Sequence, residues 1–143
     1  MAAAKMLDLV ASLPGNRGGQ TDAARAYTQA LLQGTETRIR IPNDRWPPSW
    51  NKMRDPVVPL RLALYGHPDS GTFWERHCEE RLLQKSFITI PGWPGVFTHE
   101  SLRVVLAVYV DDFKLAGAEK DMDKASKVIS DAVSVEPPTA MGR

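Results

Sequence analysis

The chain has 143 residues and a net charge of +1, with 18 Lys and Arg against 17 Asp and Glu. That length suits one domain with one modest core, and the charge balance excludes a global basic field, so any nucleic-acid partner would be held by local patches or by other protein segments. The single cysteine, Cys78, excludes an internal disulfide and fits a reducing compartment.

No apolar run approaches the ~20 residues of a membrane span. The Ala-rich start is interrupted by Lys5 and Asp8 and lacks a signal-peptide layout, so an intracellular location, cytoplasmic or nuclear, is expected. Within Ala2 to Leu13, Ala3, Met6, Leu7, Val10 and Leu13 recur at helical spacing. Pro14-Gly15-Asn16 stops that helix, and Arg17 to Gln20 reads as a Gly-rich loop. Ala23 to Gln33 is Ala/Leu/Gln-rich and predicts a second helix, with Thr21 or Asp22 as its N-cap.

Thr37 to Ile41 alternates as a half-buried strand. Pro42 to Pro56 is a Pro-stiffened loop whose Trp46 and Trp50 are expected to pin it to the core. Val57 to Leu64 predicts a strand, with Pro59 marking an edge or bulge. After a turn over Tyr65 to Gly71, Ser70 or Thr72 can cap a helix running to about Lys85. On it, His77-Cys78 has no second His or Cys at ligand spacing, which argues against zinc and for Cys78 as packing.

Phe87 to Ile90 and Val96 to His99 are short strands around Pro91-Gly92-Trp93-Pro94-Gly95. Val104 to Val110 is too short for a buried helix and rich in Val, hence a strand. Ala118 to Val133 is an amphipathic helix with Met122, Ala125, Val128, Ile129 and Ala132 on one face. The Pro-rich tail, Glu136 to Arg143, closes no element and reads as truncated. Helices interleaved with mostly antiparallel strands imply an α+β fold, a sheet with its helices packed on one face. The division is residues 1–20 (helix and Gly-rich loop), 21–133 (the main domain) and 134–143 (the tail).

Asp111-Asp112 follows the Val104 strand directly and precedes a second short apolar run. One Asp is at home in a hairpin turn. Two adjacent carboxylates repel unless a cation lies between them, and hard oxygen ligands on a rigid turn suit Mg²⁺ or Mn²⁺. The bland reading is a solvated acidic turn that binds nothing. Arg38 and Arg40 are the best candidates for phosphate contact, although a solvated strand face explains them too.

Tyr109-Val110-Asp111-Asp112 resembles the catalytic turn of reverse transcriptases, and Val108 to Gly117 is similar to the version in Ty1/copia-type retrotransposon polyproteins. Asp22-Ala-Ala-Arg-Ala-Tyr27 resembles the first catalytic motif of that family, an Asp followed five residues later by Tyr or Phe. Leu64-Tyr65-Gly66 followed by seven residues and Trp74 resembles the second copia motif. His67 to Thr72 departs from that motif, whose Lys-Gln and Ala-Pro-Arg are missing here. Three motifs in order cover Asp22 to Gly117.

The resemblance implies a reverse-transcriptase palm fragment, an RNA-directed DNA polymerase segment of a Pol polyprotein. Asp22, Asp111 and Asp112 would be the catalytic, metal-binding carboxylates for two Mg²⁺ (or Mn²⁺) ions. Tyr27 would be the aromatic gate under the sugar of the incoming nucleotide, with a plain core aromatic as the alternative, and Tyr109 would support the primer end. The implied partners are an RNA or DNA template-primer, deoxynucleoside triphosphates, and the fingers, thumb, RNase H and integrase segments of the polyprotein. A second reading is a catalytically silent relic or nucleic-acid-binding module that keeps the palm fold. A third, a metal-dependent phosphohydrolase, lacks a water-activating base near the pair, because His99 precedes the strand and is expected at its far end.

Overall fold

The computed structural model describes residues 2–141. Helix α1 spans Ala2–Ser12, and strand β1 spans Asn16–Asp22. Strands β2 (Arg38–Arg40) and β3 (Val57–Pro59) form a small separate ribbon. Helix α2 (Ser70–Leu83) leads into β4 (Phe87–Ile90), β5 (Trp93–His99), β6 (Val104–Tyr109) and β7 (Asp112–Ala118). Helix α3 (Glu119–Ala132) and the two-residue strand β8 (Thr139–Ala140) follow. The main sheet has six strands in the order β4-β5-β6-β7-β1-β8, each neighbouring pair antiparallel. The α+β class and the antiparallel sheet are as expected from the sequence. No helix among the described residues is long and apolar enough to cross a membrane.

The Gly-rich stretch is not a loop. It is β1, the strand that pairs with β7 along its whole length, from Asn16 opposite Ala118 to Asp22 opposite Asp112. Glycine is a poor strand former, and here it is retained for space. A Cβ on Gly18 would lie 3.0 Å from the Ala11 Cβ of α1 and 2.7 Å from the Met141 sulfur, and one on Gly19 would meet Met122 of α3 at 3.7 Å.

Those contacts also correct the expected layering. Alternation along a strand sends successive side chains to opposite faces. Gly18, Gln20, Lys114 and Ala116 lie on the α1 face, whereas Gly19, Phe113 and Leu115 lie on the α3 face. The helices therefore cover both faces. The main apolar cluster lies on the α2/α3 side and is built on Trp74, Leu82, Phe87, Phe97, Leu106, Phe113, Met122 and Ile129.

The helix expected over Ala23 to Gln33 is replaced by a single 3₁₀ turn, Ala26–Gln29. The backbone donors after Asp22 are taken by distant partners: Ala23 N–H donates to the Asp111 carbonyl at 2.7 Å, and Ala24 N–H to the Ser134 carbonyl at 3.0 Å. Gln29 closes the same junction, donating to the Ala24 and Ser134 carbonyls and accepting from Ser134 N–H. Arg25 is left-handed at φ 52°, the Gln29 side chain occupies the Ala24 carbonyl, and Leu32 N–H donates to the Arg61 carbonyl while the Ala30 carbonyl accepts from Ala63, so the i→i−4 ladder of a helix does not form. Asp22 is the last residue of a strand and caps no helix.

Neither candidate cap acts on α2. Ser70 is fully buried, and its Oγ accepts the Leu64 N–H at 2.9 Å, tying the preceding loop to the helix start. Trp46 and Trp50 also differ from expectation. They meet edge to face at 6.5 Å, and Trp46 Nε1 donates to the Ile41 carbonyl, so they brace their own loop outside the main cluster. The Pro-rich tail reaches β1, where Thr139 and Ala140 pair with Gln20 and Gly19.

Candidate active site

The hairpin β6–β7 places Asp112 opposite Tyr109, with Val110 and Asp111 as the two turn residues. Such a turn requires positive φ, and Val110 adopts φ 56°, an uncommon conformation for a β-branched side chain. Trp74 on α2 holds it: the ring is buried at 1% exposure, and its Nε1 donates to the Val110 carbonyl at 2.6 Å. The spacing from Leu64-Tyr65-Gly66 to Trp74 thus has a physical consequence in this chain, since it carries a tryptophan to the acidic turn. Sequence reasoning placed Trp74 in the motif but did not connect it to the turn.

Antiparallel pairing of β1 with β7 brings Asp22 directly across from Asp112. The two sequence-predicted carboxylates, 90 positions apart, therefore share the end of one sheet face. Asp111 lies one position back in the turn, and its carbonyl receives the Ala23 N–H. The Asp112 carboxyl lies within hydrogen-bonding reach of Asp22, and its pKa is held above the usual carboxylate range. Partial burial is the largest cause, followed by the bond to Asp22 and the negative charges of Asp111 and Asp22. Among the described residues, no three His, Cys, Asp or Glu groups converge as a ready-made metal site.

A carboxyl group whose folded pKa is raised binds its proton more tightly in the native state. Its contribution favours folding in acid and is lost as pH rises from the ordinary aspartate range through the raised folded value. Asp112→Asn is therefore expected to stabilise the protein at pH 7 by about 0.2–1 kcal/mol, the range for cross-strand charge pairs. The gain should vanish near pH 3, where aspartates are largely protonated. Thermal melts of both proteins across that range would check it, and a destabilised variant at pH 7 would mean the carboxylates do not repel.

Tyr27 sits in the 3₁₀ turn, half-buried, with its ring 4.2 Å from that of Tyr65 at an interplanar angle of 30°. Tyr65 is 56% exposed and covers it. The Tyr65 hydroxyl is raised in pKa by burial first and then by the Asp111 charge, which places the stacked pair beside the acidic turn. Tyr109 stands 77% exposed at the end of β6.

The residues proposed for phosphate contact lie apart from this. Arg38 pairs with Glu36 and Arg40 with Asp55, at 3.0 and 2.8 Å, on the separate ribbon. His99 caps the opposite end of its strand, its Nδ1 accepting the Ser101 and Leu102 N–H groups and its ring resting edge-on against Phe87. Cys78 is buried among apolar side chains and its thiol is pushed up to about 12, which fits packing and not nucleophilic chemistry.

A cleft of about 730 Å³ opens beside Asp22 and Asp112, walled by the start of α1, Pro94-Gly95 of the β4–β5 hairpin, and the exposed ring of Tyr109. Gln20 and Lys114 face into it from β1 and β7. Lys114 lies within the Val108 to Gly117 motif but was given no role there. A cation two positions beyond Asp112 on an otherwise apolar strand was the available signal.

Over 112 residues the chain is 30% identical to the Ty1-NL2 Gag-Pol polyprotein of Saccharomyces cerevisiae, and equally to the truncated Ty1-A and the Ty1-DR5 Gag-Pol polyproteins of that yeast. The match covers 78% of this chain but only 6–8% of each relative. The chain thus spans less than a tenth of the length of the curated relatives it matches. No family model and no solved structure matches it.

Proposed function

From this relationship to a stretch of Ty1-type retrotransposon Gag-Pol polyprotein, we propose that the chain is the palm segment of a copia-type reverse transcriptase. Its chemistry is nucleotidyl transfer by a two-metal mechanism. The observation that carries this reading is the cross-strand meeting of Asp22 with Asp112 at the acidic turn, because a chain kept only as packing has no need to juxtapose two carboxylates.

The donor set fits Mg²⁺ or Mn²⁺. Hard carboxylate oxygens face one another at close range, and Asp112 has a proton affinity that a cation would relieve. When bound, such ions neutralise triphosphate charge and stabilise the attacking and leaving oxygens of an in-line displacement. Asp22 and Asp112 would hold them from opposite strands, and Asp111 from the turn. Trp74 and the β1–β7 ladder keep the carboxylates in register. Tyr27, stacked under Tyr65, would form the floor against which a sugar is selected, and Tyr109 would lie against the primer end. Grip on a template-primer needs many phosphate contacts, and those would come from other segments of the polyprotein.

The test is addition of a labelled deoxynucleotide to a primer–template in Mg²⁺, with Asp112→Asn and Asp111→Asn beside the wild type. Incorporation is expected to fall at least about a hundredfold in either variant, the scale of removing one preorganised electrostatic group. Equal incorporation by wild type and Asp112→Asn would overturn the mechanism.

A second reading, a silent relic or nucleic-acid-binding module that keeps the fold, draws support from the lack of a three-group cluster among the described residues. The α1 helix covering the face that bears the pair points the same way. On that reading, a folded wild type neither binds Mn²⁺ nor extends a primer.

A further inference from the structure

We propose that Lys114 is the phosphate-binding cation of the carboxylate cleft, and that Asp8 of α1 holds it when no phosphate is present. Lys114 leaves β7 on the same face as Asp112, two residues away, and so about 7 Å along the strand. It lies opposite Gln20 and Ala107 in the neighbouring strands. Among the described residues lining the cleft, it is the one cation. Its side chain is 24% exposed, and its Nζ contacts Asp8 Oδ1 at 2.7 Å and donates to the Ala4 carbonyl at 3.4 Å.

The pair is asymmetric. Asp8 is 56% exposed at the side chain, so it can return to water at little cost. The Lys114 side chain is three-quarters buried along its length, so its ammonium is confined to the cleft and is best matched there by an anion. A phosphate group entering the cleft would meet carboxylates at the Asp22–Asp112 end, and Lys114 is the group that makes the cleft tolerable to it. Lys carries three rotatable donors on a flexible stem, which lets it swing from a carboxylate to a phosphate oxygen. The ligand class is an oligophosphate, as in a nucleoside triphosphate. This assignment deepens the polymerase reading and rests on it for the identity of the natural ligand.

Two titrations test it on the full chain: inorganic triphosphate followed by calorimetry at low salt, and Mn²⁺ followed by electron paramagnetic resonance. Lys114→Met should weaken triphosphate binding about tenfold, Lys114→Arg should restore most of it, and Asp8→Asn should strengthen it about threefold. None of the three should alter Mn²⁺ binding by more than about twofold. Asp8→Asn lies on the surface and keeps the test decisive if Lys114→Met folds poorly. Triphosphate affinity unchanged in both Lys114→Met and Asp8→Asn, or triphosphate failing to bind the wild type, overturns the assignment. Failure of the polymerase reading shows separately, as Mn²⁺ that does not bind or that binds equally well to Asp112→Asn.

Discussion

Trp74→Ala is expected to lower stability by about 3–5 kcal/mol, the range for removing a large buried aromatic side chain. The ring is among the largest fully buried side chains and sits at the centre of the cluster on the α2/α3 side of the sheet. It also has a second task. Its Nε1–H satisfies the carbonyl of Val110, a β-branched residue held at φ 56° in the acidic turn, and such conformations persist only where surroundings over-determine them. Trp74→Phe separates the two roles. It keeps most of the buried area and removes the donor, so it should cost about 1–3 kcal/mol, concentrated in the turn. Denaturant midpoints give the totals, and amide exchange at Val110 to Phe113 shows where the loss falls. A Trp74→Ala protein within 1 kcal/mol of wild type would mean that α2 does not support the turn.

Gly117→Ala should be comparably damaging for a different reason. A Cβ at that position would lie 2.1 Å from the Arg103 carbonyl oxygen and 2.7 Å from the Val104 Cα. Both obstacles are backbone, one at Val104, the β6 residue that pairs with Gly117 itself, and one at the residue just before it. A flexible side chain could move aside, but a ladder cannot move without breaking its own hydrogen bonds. Overpacking of well-filled sites costs about 1–3 kcal/mol and more where the neighbours are rigid, so a loss of about 3 kcal/mol or more is expected. Gly34→Ala is the control. Gly34 has φ 82° and nothing within 4 Å of the added carbon, so only the left-handed backbone cost of about 1–2 kcal/mol applies. Equal midpoints for the two variants would show that the close approach at Gly117 relaxes freely.

The oligophosphate assignment joins these effects to the site. Trp74 and Gly117 determine whether the end of the hairpin stays in register. Asp22, Asp112 and Lys114 then fall on one face as a consequence of that register, since a slip of β7 by one residue would send Asp112 and Lys114 to the side opposite Asp22. The stability and binding predictions are therefore linked, and a variant that loosens the turn should weaken Mn²⁺ binding before it unfolds the protein.

Much of the chain was legible from residue order. The apolar strand from Val104, the amphipathic α3 with Met122, Ala125 and Ile129 inward, a helix carrying Trp74, Cys78 and Leu82, and the acidic turn itself all follow from local periodicity and turn chemistry. Asp111 and Asp112 stand out on the same local grounds, whereas Asp22 entered the candidate set only through the resemblance to the retrotransposon motif. The other features are local, because a 3.6- or 2-residue repeat of apolar side chains and the φ demands of a turn are written within a few residues.

What only the tertiary structure decided is where distant backbone groups find partners and which surface each element covers. The Gly-rich segment carries every sign of a loop, yet it is a strand because β7 supplies its hydrogen bonds and two helices need the space its missing side chains leave. The Ala-rich segment after Asp22 carries the composition of a helix, yet left-handed Arg25 breaks it and Arg61 and Ala63 take the Leu32 donor and the Ala30 acceptor that a helix would use. The same pairing sets Asp22 against Asp112, while packing puts Tyr65 over Tyr27 and Asp8 against Lys114. Each of these is a choice between competing partners tens of residues apart, and it is settled by the net cost of leaving a buried donor, acceptor or charge unmatched. That cost exists only once the chain has closed on itself, so no window of sequence contains it.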